Sequence, residues 1–293
     1  MKTTSEGSLL TPPIPNWERI TKAIQNQKSK IKNYIALTKP GITLAVVVTT
    51  LAGFLLGTRG SPTNWILLLH TLLGTGFVAA GAGTLNMLLE ADLDTLMNRT
   101  RHRPLPAGRL RQEEVFLFGL MLSAAGLIHL ASITTPYAGC LAALSLTIYL
   151  LIYTPLKTKT AFCTVPGAVS GALPPVIGWT AAHGSLGWEA LVLFLILFLW
   201  QFPHLLALTW IYREDYDHAG IRMVPTSDVS GTKTSFQALF LSVMLLLASL
   251  IPFWMEDTKS LYLYGAISLG LLLLGASFRF HYLRSKTSAK HLF

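Results

Sequence analysis

An all-α, polytopic membrane protein of about eight to nine transmembrane helices, arranged as two pseudo-repeated four-helix halves around a central cavity, is the fold this sequence predicts. Three observations predict it: the composition, the recurrence of long apolar runs, and the sorting of basic residues. The chain has 293 residues, 52% of them hydrophobic and 13% charged, with a mean hydropathy of +0.50. A soluble domain of this size could not carry that balance without large exposed apolar patches. Runs long enough to cross about 30 Å of hydrocarbon, at about 1.5 Å per residue, recur after residue 40. They lie near 41–58, 66–90, 115–133, 137–153, 164–182, 188–211, 236–255 and 261–280.

Taken in order, residues 1–40 form a polar, basic segment expected on the cytoplasmic side, without the apolar stretch of a cleavable secretory signal. Residues 41–280 form the transmembrane domain, and 281–293 a basic cytoplasmic tail that reads as lipid-facing. With eight spans and the N-terminus inside, 21 of the 23 Lys and Arg fall on the inner side, and only Arg59 and Lys259 fall outside. The net charge of +9 is thus explained by topology and contact with anionic lipid, so nucleic-acid binding is not expected. Cys140 and Cys163 lie in apolar sequence without metal-ligand spacing and read as small packing residues. The Gly- and Pro-containing stretch 167–179 in the fifth span permits close helix approach.

Two inner loops stand apart, one after the second span and one after the sixth, the equivalent positions of two four-helix halves. Six of the 14 acidic residues lie in the stretches 86–110 and 200–225 that enter these loops: Glu90, Asp92 and Asp94, and Glu214, Asp215 and Asp217. Carboxylates at the end of an apolar helix are costly to desolvate and repel one another unless a cation sits among them. Without Cys or His pairs nearby, they favour a hard divalent ion such as Mg²⁺, which takes carboxylate and phosphate oxygens. On a continuing helix Asn86, Glu90 and Asp94 share a face and Asp92 points away, so either Asp92 does another job or the helix unwinds there. Arg99, Arg101, Arg103, Arg109 and Arg111 follow, and a guanidinium fork matches a diphosphate, although inner-loop arginines are also expected from topology alone. In the sixth span Gln201, His204 and Asp215 project to nearly one face, with Pro203 expected to kink the helix. That stripe suggests a cavity, while His204 taken alone reads sooner as a packed, hydrogen-bonded core residue.

These blocks resemble the UbiA superfamily of intramembrane prenyltransferases, and within it the haem-farnesylating branch. The first motif N-x-x-x-D-x-x-x-D is matched by Asn86, Glu90 and Asp94, extended by Asp92, Met97, Arg99, Thr100 and Arg103-Pro104-Leu105. YIALTKPGIT (34–43), YTPLKTKT (153–160), GALPPVIGW (171–179), WQFPHLLAL (200–208) and REDYDHAGIRMVP (213–225) look like further blocks in the family's order. Glu90 stands where the family has aspartate, and Gly41 where it has arginine, so no ligand role is inferred for Gly41.

The resemblance implies Mg²⁺-dependent transfer of farnesyl from farnesyl diphosphate to the vinyl group of haem b, with water addition, giving haem O for terminal oxidase biogenesis. It implies metal at Asn86, Glu90, Asp94, Asp215 and Asp217, and catalytic roles for Asn86, Asp92, Asp94, Arg99 and Lys157. Diphosphate or haem contacts are expected from Arg103, Tyr153, Gln201, His204 and Tyr212, with Asp92, Asn86 and Tyr153 as candidates for directing water. Haem b, farnesyl diphosphate and the lipid bilayer are the implied partners, with a haem A synthase or terminal oxidase assembly factors as further candidates. The implied location is a bacterial inner membrane, with both termini and both acidic motifs cytoplasmic. A family member acting on a quinone precursor or chlorophyll-like ring would share the diphosphate machinery, and a transporter would be expected to carry its acids near mid-membrane instead.

Overall fold

The computed structural model describes residues 27, 29–58, 61–255 and 260–292, and these contain helices and no strand. Most of the basic N-terminal segment, together with Arg59 and Lys259, lies outside the described residues. Among those residues, eight helices have the length and composition to cross a membrane. They are α1 (Pro40–Gly57), α2 (Trp65–Leu89), α3 (Gln112–Thr134), α4 (Pro136–Leu156), α5 (Ala161–His183), α6 (Trp188–Ile211), α7 (Thr232–Trp254) and α8 (Ser260–Leu283). Each expected run falls on one of them, with ends displaced by a few residues.

Local chemistry sets several boundaries. Pro40 and Pro136 occupy first-turn positions of α1 and α4, where a missing N–H costs nothing. The Asn64 side chain accepts from the Leu67 N–H at the start of α2, at 3.0 Å. Trp65, Tyr137, Trp188 and Trp254 are exposed at one end of the bundle, as an aromatic belt at a membrane interface requires. Along the spans Leu44, Leu69, Met121, Leu151 and Leu272 are also exposed, which is the expected surface of a protein solvated by lipid.

Without a hydrophobic force between helices in lipid, close backbone approach holds the bundle. A Cβ at Gly53 would collide with the Pro175 backbone, and one at Gly178 with Thr50, so α1 and α5 pack through glycines. Likewise a Cβ at Gly126 would lie 2.7 Å from the Gly74 carbonyl oxygen, joining α2 to α3. The pairs α1–α2, α2–α3 and α3–α4 recur as α5–α6, α6–α7 and α7–α8, while α1 and α5 pack on each other. The expected pseudo-repeat is visible in this pattern.

The repeat extends to the backbone beyond α2 and α6. At Glu90 (φ −101°, ψ 9°) the second helix breaks, and a six-residue helix, Ala91–Leu96, follows. At Tyr212 (φ −104°, ψ 21°) the sixth breaks in the same way, and Arg213–His218 follows, again six residues. The single face expected for Gln201, His204 and Asp215 is therefore not continuous, because Asp215 belongs to the second of these short helices. Pro203 lies inside α6, which stays helical across it.

Two smaller expectations change. The tail is not merely lipid-facing: Lys286–Leu292 is a helix whose Ala289 and Leu292 are buried with Leu206 and Trp210 of α6. Cys163 is buried as a packing residue, whereas Cys140 is exposed.

Candidate active site

The break at Glu90 keeps the four-residue register while freeing the helix to turn. Glu90 N–H donates to the Asn86 carbonyl at 3.0 Å, and Asp94 N–H to the Glu90 carbonyl at 2.8 Å. Asn86, Glu90 and Asp94 are all buried and Asp92 is exposed, so the shared face is present and Asp92 is off it.

Three cations from three separate elements close on that face. Lys157, just after α4, reaches Glu90 with Nζ 2.5 Å from Oε1, and Arg103 reaches Asp94 with NH1 2.7 Å from Oδ2. Lys39, just before α1, donates from Nζ to Asn86 Oδ1 at 2.6 Å. The Asn86 amide in turn donates to Thr154 Oγ1 at 3.0 Å, which fixes its orientation. Lys39 holds a left-handed backbone (φ 47°, ψ 62°), rare for a side chain with a Cβ and costing about 1–2 kcal/mol, so the fold spends strain to aim this ammonium inward.

The charges shape one another. Burial, then the Arg103 charge, bring Lys39 down to about 7 against the pull of Glu90. Burial works to raise Glu90, but the adjoining Lys157 outweighs it and holds the carboxyl below its ordinary range. Burial opposes the Lys157 charge, and its neighbours Tyr153 and Glu90 outweigh that, so its pKa is raised. With all five groups charged, three cations face two carboxylates, an excess suited to an anion.

One oxygen is left over. Asp94 Oδ1 is buried without a hydrogen-bond partner, although Asp94 Oδ2 is paired with Arg103. An orphaned carboxylate oxygen is an unusual cost inside a protein, and it is the donor a hard divalent cation uses alongside phosphate oxygens. Among the described residues no three His, Cys, Asp or Glu side chains lie close enough to form a metal cage by themselves. The donor chemistry therefore fits an ion that brings its own phosphate ligands.

Beside these charges lies a cavity of about 280 Å³ walled by α1, α2, α4, α5 and α6. Lys39, Tyr149 and Tyr153 line it, as do Val78, Ile177 and Gln201. Its α2 wall runs from Gly83 to Thr75, or about 12 Å at 1.5 Å per residue. Tyr149 and Tyr153 belong to a π-helical stretch, Ile148–Tyr153, a distortion frequent at functional sites. Tyr153 carries the Lys157 ammonium 4.4 Å above its ring, so the same residue touches both the charged pocket and the cavity.

The second acidic loop meets the first at its rim. Asn98 Nδ2 donates to Asp215 Oδ1 at 3.4 Å, and the Arg99 guanidinium lies 5.4 Å from the Tyr212 ring centroid. Asp215 is half-buried, Asp217 and Arg99 are exposed, and Glu214 is exposed in a pair with Lys286 at 3.0 Å. His204 stacks on Trp200 with ring centroids 5.1 Å apart, and it is Gln201 and Leu205 of α6 that line the cavity. Sequence reasoning missed Lys39 and Thr154. Lys39 had a signal, a lysine immediately before a proline that starts a span, whereas a lone threonine offers none.

A model of the UbiA prenyltransferase family matches residues 46–293. The chain is 41% identical over 258 residues to a protoheme IX farnesyltransferase of Solibacter usitatus, covering 85% of this chain and 88% of that one. It is 38% identical over 275 residues to a protoheme IX farnesyltransferase of Aquifex aeolicus, covering 94% of each. In fold it is similar to digeranylgeranylglyceryl phosphate synthase, with a TM-score of 0.74 at 19% identity over 90% of this chain and 92% of that one. A UbiA homologue from Archaeoglobus fulgidus bound to GPP and Mg²⁺ has a TM-score of 0.65 at 17% identity, covering 86% of each chain. With the family model spanning most of its length, this chain belongs to the UbiA prenyltransferase family.

Proposed function

We propose that the protein transfers the farnesyl group of farnesyl diphosphate to the vinyl group of haem b, with addition of water, to make haem O for terminal oxidase biogenesis. The observation that carries the diphosphate half is the meeting of Lys39, Arg103 and Lys157 over a buried Asn86, Glu90 and Asp94 face that adjoins an apolar cavity. The acceptor rests on the relatives named for protohaem farnesylation.

In this reading the diphosphate sits among the three cations, which offset its charge as the allylic C–O bond breaks, and preorganised charge in a water-poor site is the largest catalytic resource available. Asp94 Oδ1 is the principal metal donor, with Asp215 and Asp217 at the rim, Asn86 beside it, and Glu90 held in reserve by Lys157. When bound, Mg²⁺ supplies Lewis-acid neutralisation of the leaving group. Arg99, seated on Tyr212, guards the opening between the two loops, and Tyr153 walls the boundary between charge and hydrocarbon. The cavity takes the prenyl chain and shields the developing allylic cation from bulk water.

The charge sorting supports an orientation with both termini and both acidic loops cytoplasmic, and the bacterial relatives support an inner-membrane location. A haem A synthase or a terminal oxidase is then the destination of the product. The test incubates purified protein in detergent with haem b and farnesyl diphosphate, with and without Mg²⁺, and follows product mass. Haem O only in the presence of Mg²⁺ is expected. Prenylation of 4-hydroxybenzoate without any haem product would transfer the protein to the quinone-precursor branch.

A further inference from the structure

We propose that Gln201 holds the water molecule that adds to the farnesylated haem; this inference rests on the haem-acceptor reading above. Gln201 is a cavity-wall residue on α6 whose amide is fixed in one sense: Nε2 donates to the Ala168 carbonyl and to the Leu197 carbonyl, both at 3.0 Å. Two carbonyl partners settle which end of the amide is nitrogen. The other end, Oε1, accepts no hydrogen bond from any described residue, and it lies directly against Gly171, where a Cβ would collide with it. Although hydroxyls such as those of Thr43, Ser145 and Tyr149 also line the cavity, a fixed, unshared amide acceptor is costly unless something donates to it.

Its position matches the chemistry. On α5, Gly167 seats the Tyr153 ring and Gly171 seats the Gln201 amide, four residues or about one 5.4 Å turn apart. The amide oxygen thus lies one helical turn further along the cavity wall than the aromatic ring that bounds the charged pocket. Gly171 itself carries a second acceptor, because Pro175, inside the same helix, has no N–H to give its carbonyl. The same deficit one residue earlier, left by Pro174 at the Ser170 carbonyl, is made good by Ser145 Oγ at 2.9 Å. Two carbonyl oxygens take both protons of a water and leave its lone pair free to attack.

The electron count closes. The vinyl π pair forms the new bond to farnesyl C1 as the C1–O bond breaks and its pair leaves with diphosphate. The resulting cation beside the porphyrin accepts the water lone pair, and the proton released is taken up by the departing diphosphate. A cation that meets no held water instead loses a proton from a neighbouring carbon, and the product is an alkene lighter by one water.

The experiment measures the ratio of dehydrated to hydroxylated farnesyl-haem by mass for wild type, Gln201→Leu and Gly171→Ala. The second variant displaces the amide without removing any atom of it. Wild type is expected to give hydroxylated product with its oxygen from labelled water, and both variants to shift the ratio at least tenfold toward the alkene. An unchanged ratio in both would overturn the proposal. So would complete loss of prenyl transfer in both, since a group acting after carbon–carbon bond formation is not needed for that bond. Absence of any haem product from wild type would instead refute the acceptor reading itself.

Discussion

At Glu90 and at Tyr212 the chain makes the same backbone break, and a six-residue helix follows each, yet the two loops use that geometry in opposite ways. The first turns Glu90 and Asp94 inward, where both are buried, Glu90 held by Lys157 from beyond α4 and Asp94 by Arg103 of the same loop. The second buries Tyr216 and leaves Glu214 and Asp217 exposed, while its buried acid is Asp228, ten residues beyond that short helix. Asp228 Oδ2 accepts from the Thr234 N–H at 2.8 Å and its hydroxyl at 2.9 Å, capping α7. On the proposed function the first loop would be both binding site and keystone, whereas the second would separate these duties between different residues.

The largest test of this difference pairs Asp94→Ala with Asp215→Ala. Asp94→Ala should cost at least about 10²–10³-fold in turnover and also about 3–5 kcal/mol of stability, because it leaves Arg103 facing a buried site without its partner. Asp215→Ala should lose about 10²-fold or more in turnover with stability changed by no more than about 0.5 kcal/mol. Haem O formation and thermal unfolding in detergent read the two effects separately. A destabilised Asp215→Ala would erase the contrast.

A double-mutant cycle of Glu90→Gln and Lys157→Met should return a coupling of about 1–3 kcal/mol in thermal unfolding, and additive single effects would show that this buried pair is not a structural tie. The second loop's anchor is weaker. Asp228→Asn should cost about 1 kcal/mol at neutral pH. Burial works to raise the Asp228 pKa, but the Thr234 and Ser230 bonds outweigh it and hold it below the ordinary value. Its contribution is accordingly present above the unfolded carboxyl pKa of about 3.9 and is lost as pH falls through the lower folded value. The difference between wild type and Asp228→Asn should shrink over that acid range. The smallest effect belongs to Glu214→Ala, whose exposed pair with Lys286 should leave the unfolding curve unchanged.

The sequence carried the parts of this contrast that follow from periodicity and sign. Eight apolar runs located eight spans, and the four-residue spacing put Asn86, Glu90 and Asp94 on one face with Asp92 off it. The breaks were less legible, because no proline or glycine marks Glu90 or Tyr212, and the helix was free on paper to carry Asp215 along with Gln201. Cations that arrive from distant segments were legible only as charges on the right side of the membrane. That Lys157 pairs with Glu90 and Lys39 with Asn86 is a fact of packing between the end of α4, the end of α2 and the start of α1, and that Arg103 turns back to Asp94 is a fact of the fold of their shared loop, none of which one sequence encodes at a fixed spacing. The Gln201 amide was visible as a polar residue in an apolar run, but its orientation depends on the Ala168 carbonyl and the small size of Gly171.

The role of the first loop is read most plainly from binding of farnesyl diphosphate to purified wild type and Asp94→Asn across a Mg²⁺ titration, followed by haem O formation in the same samples. Wild type should bind and turn over in step with Mg²⁺, and Asp94→Asn should lose the Mg²⁺-dependent gain in both. Metal-independent binding of equal strength in the two proteins would contradict the assignment of the first loop as the diphosphate site.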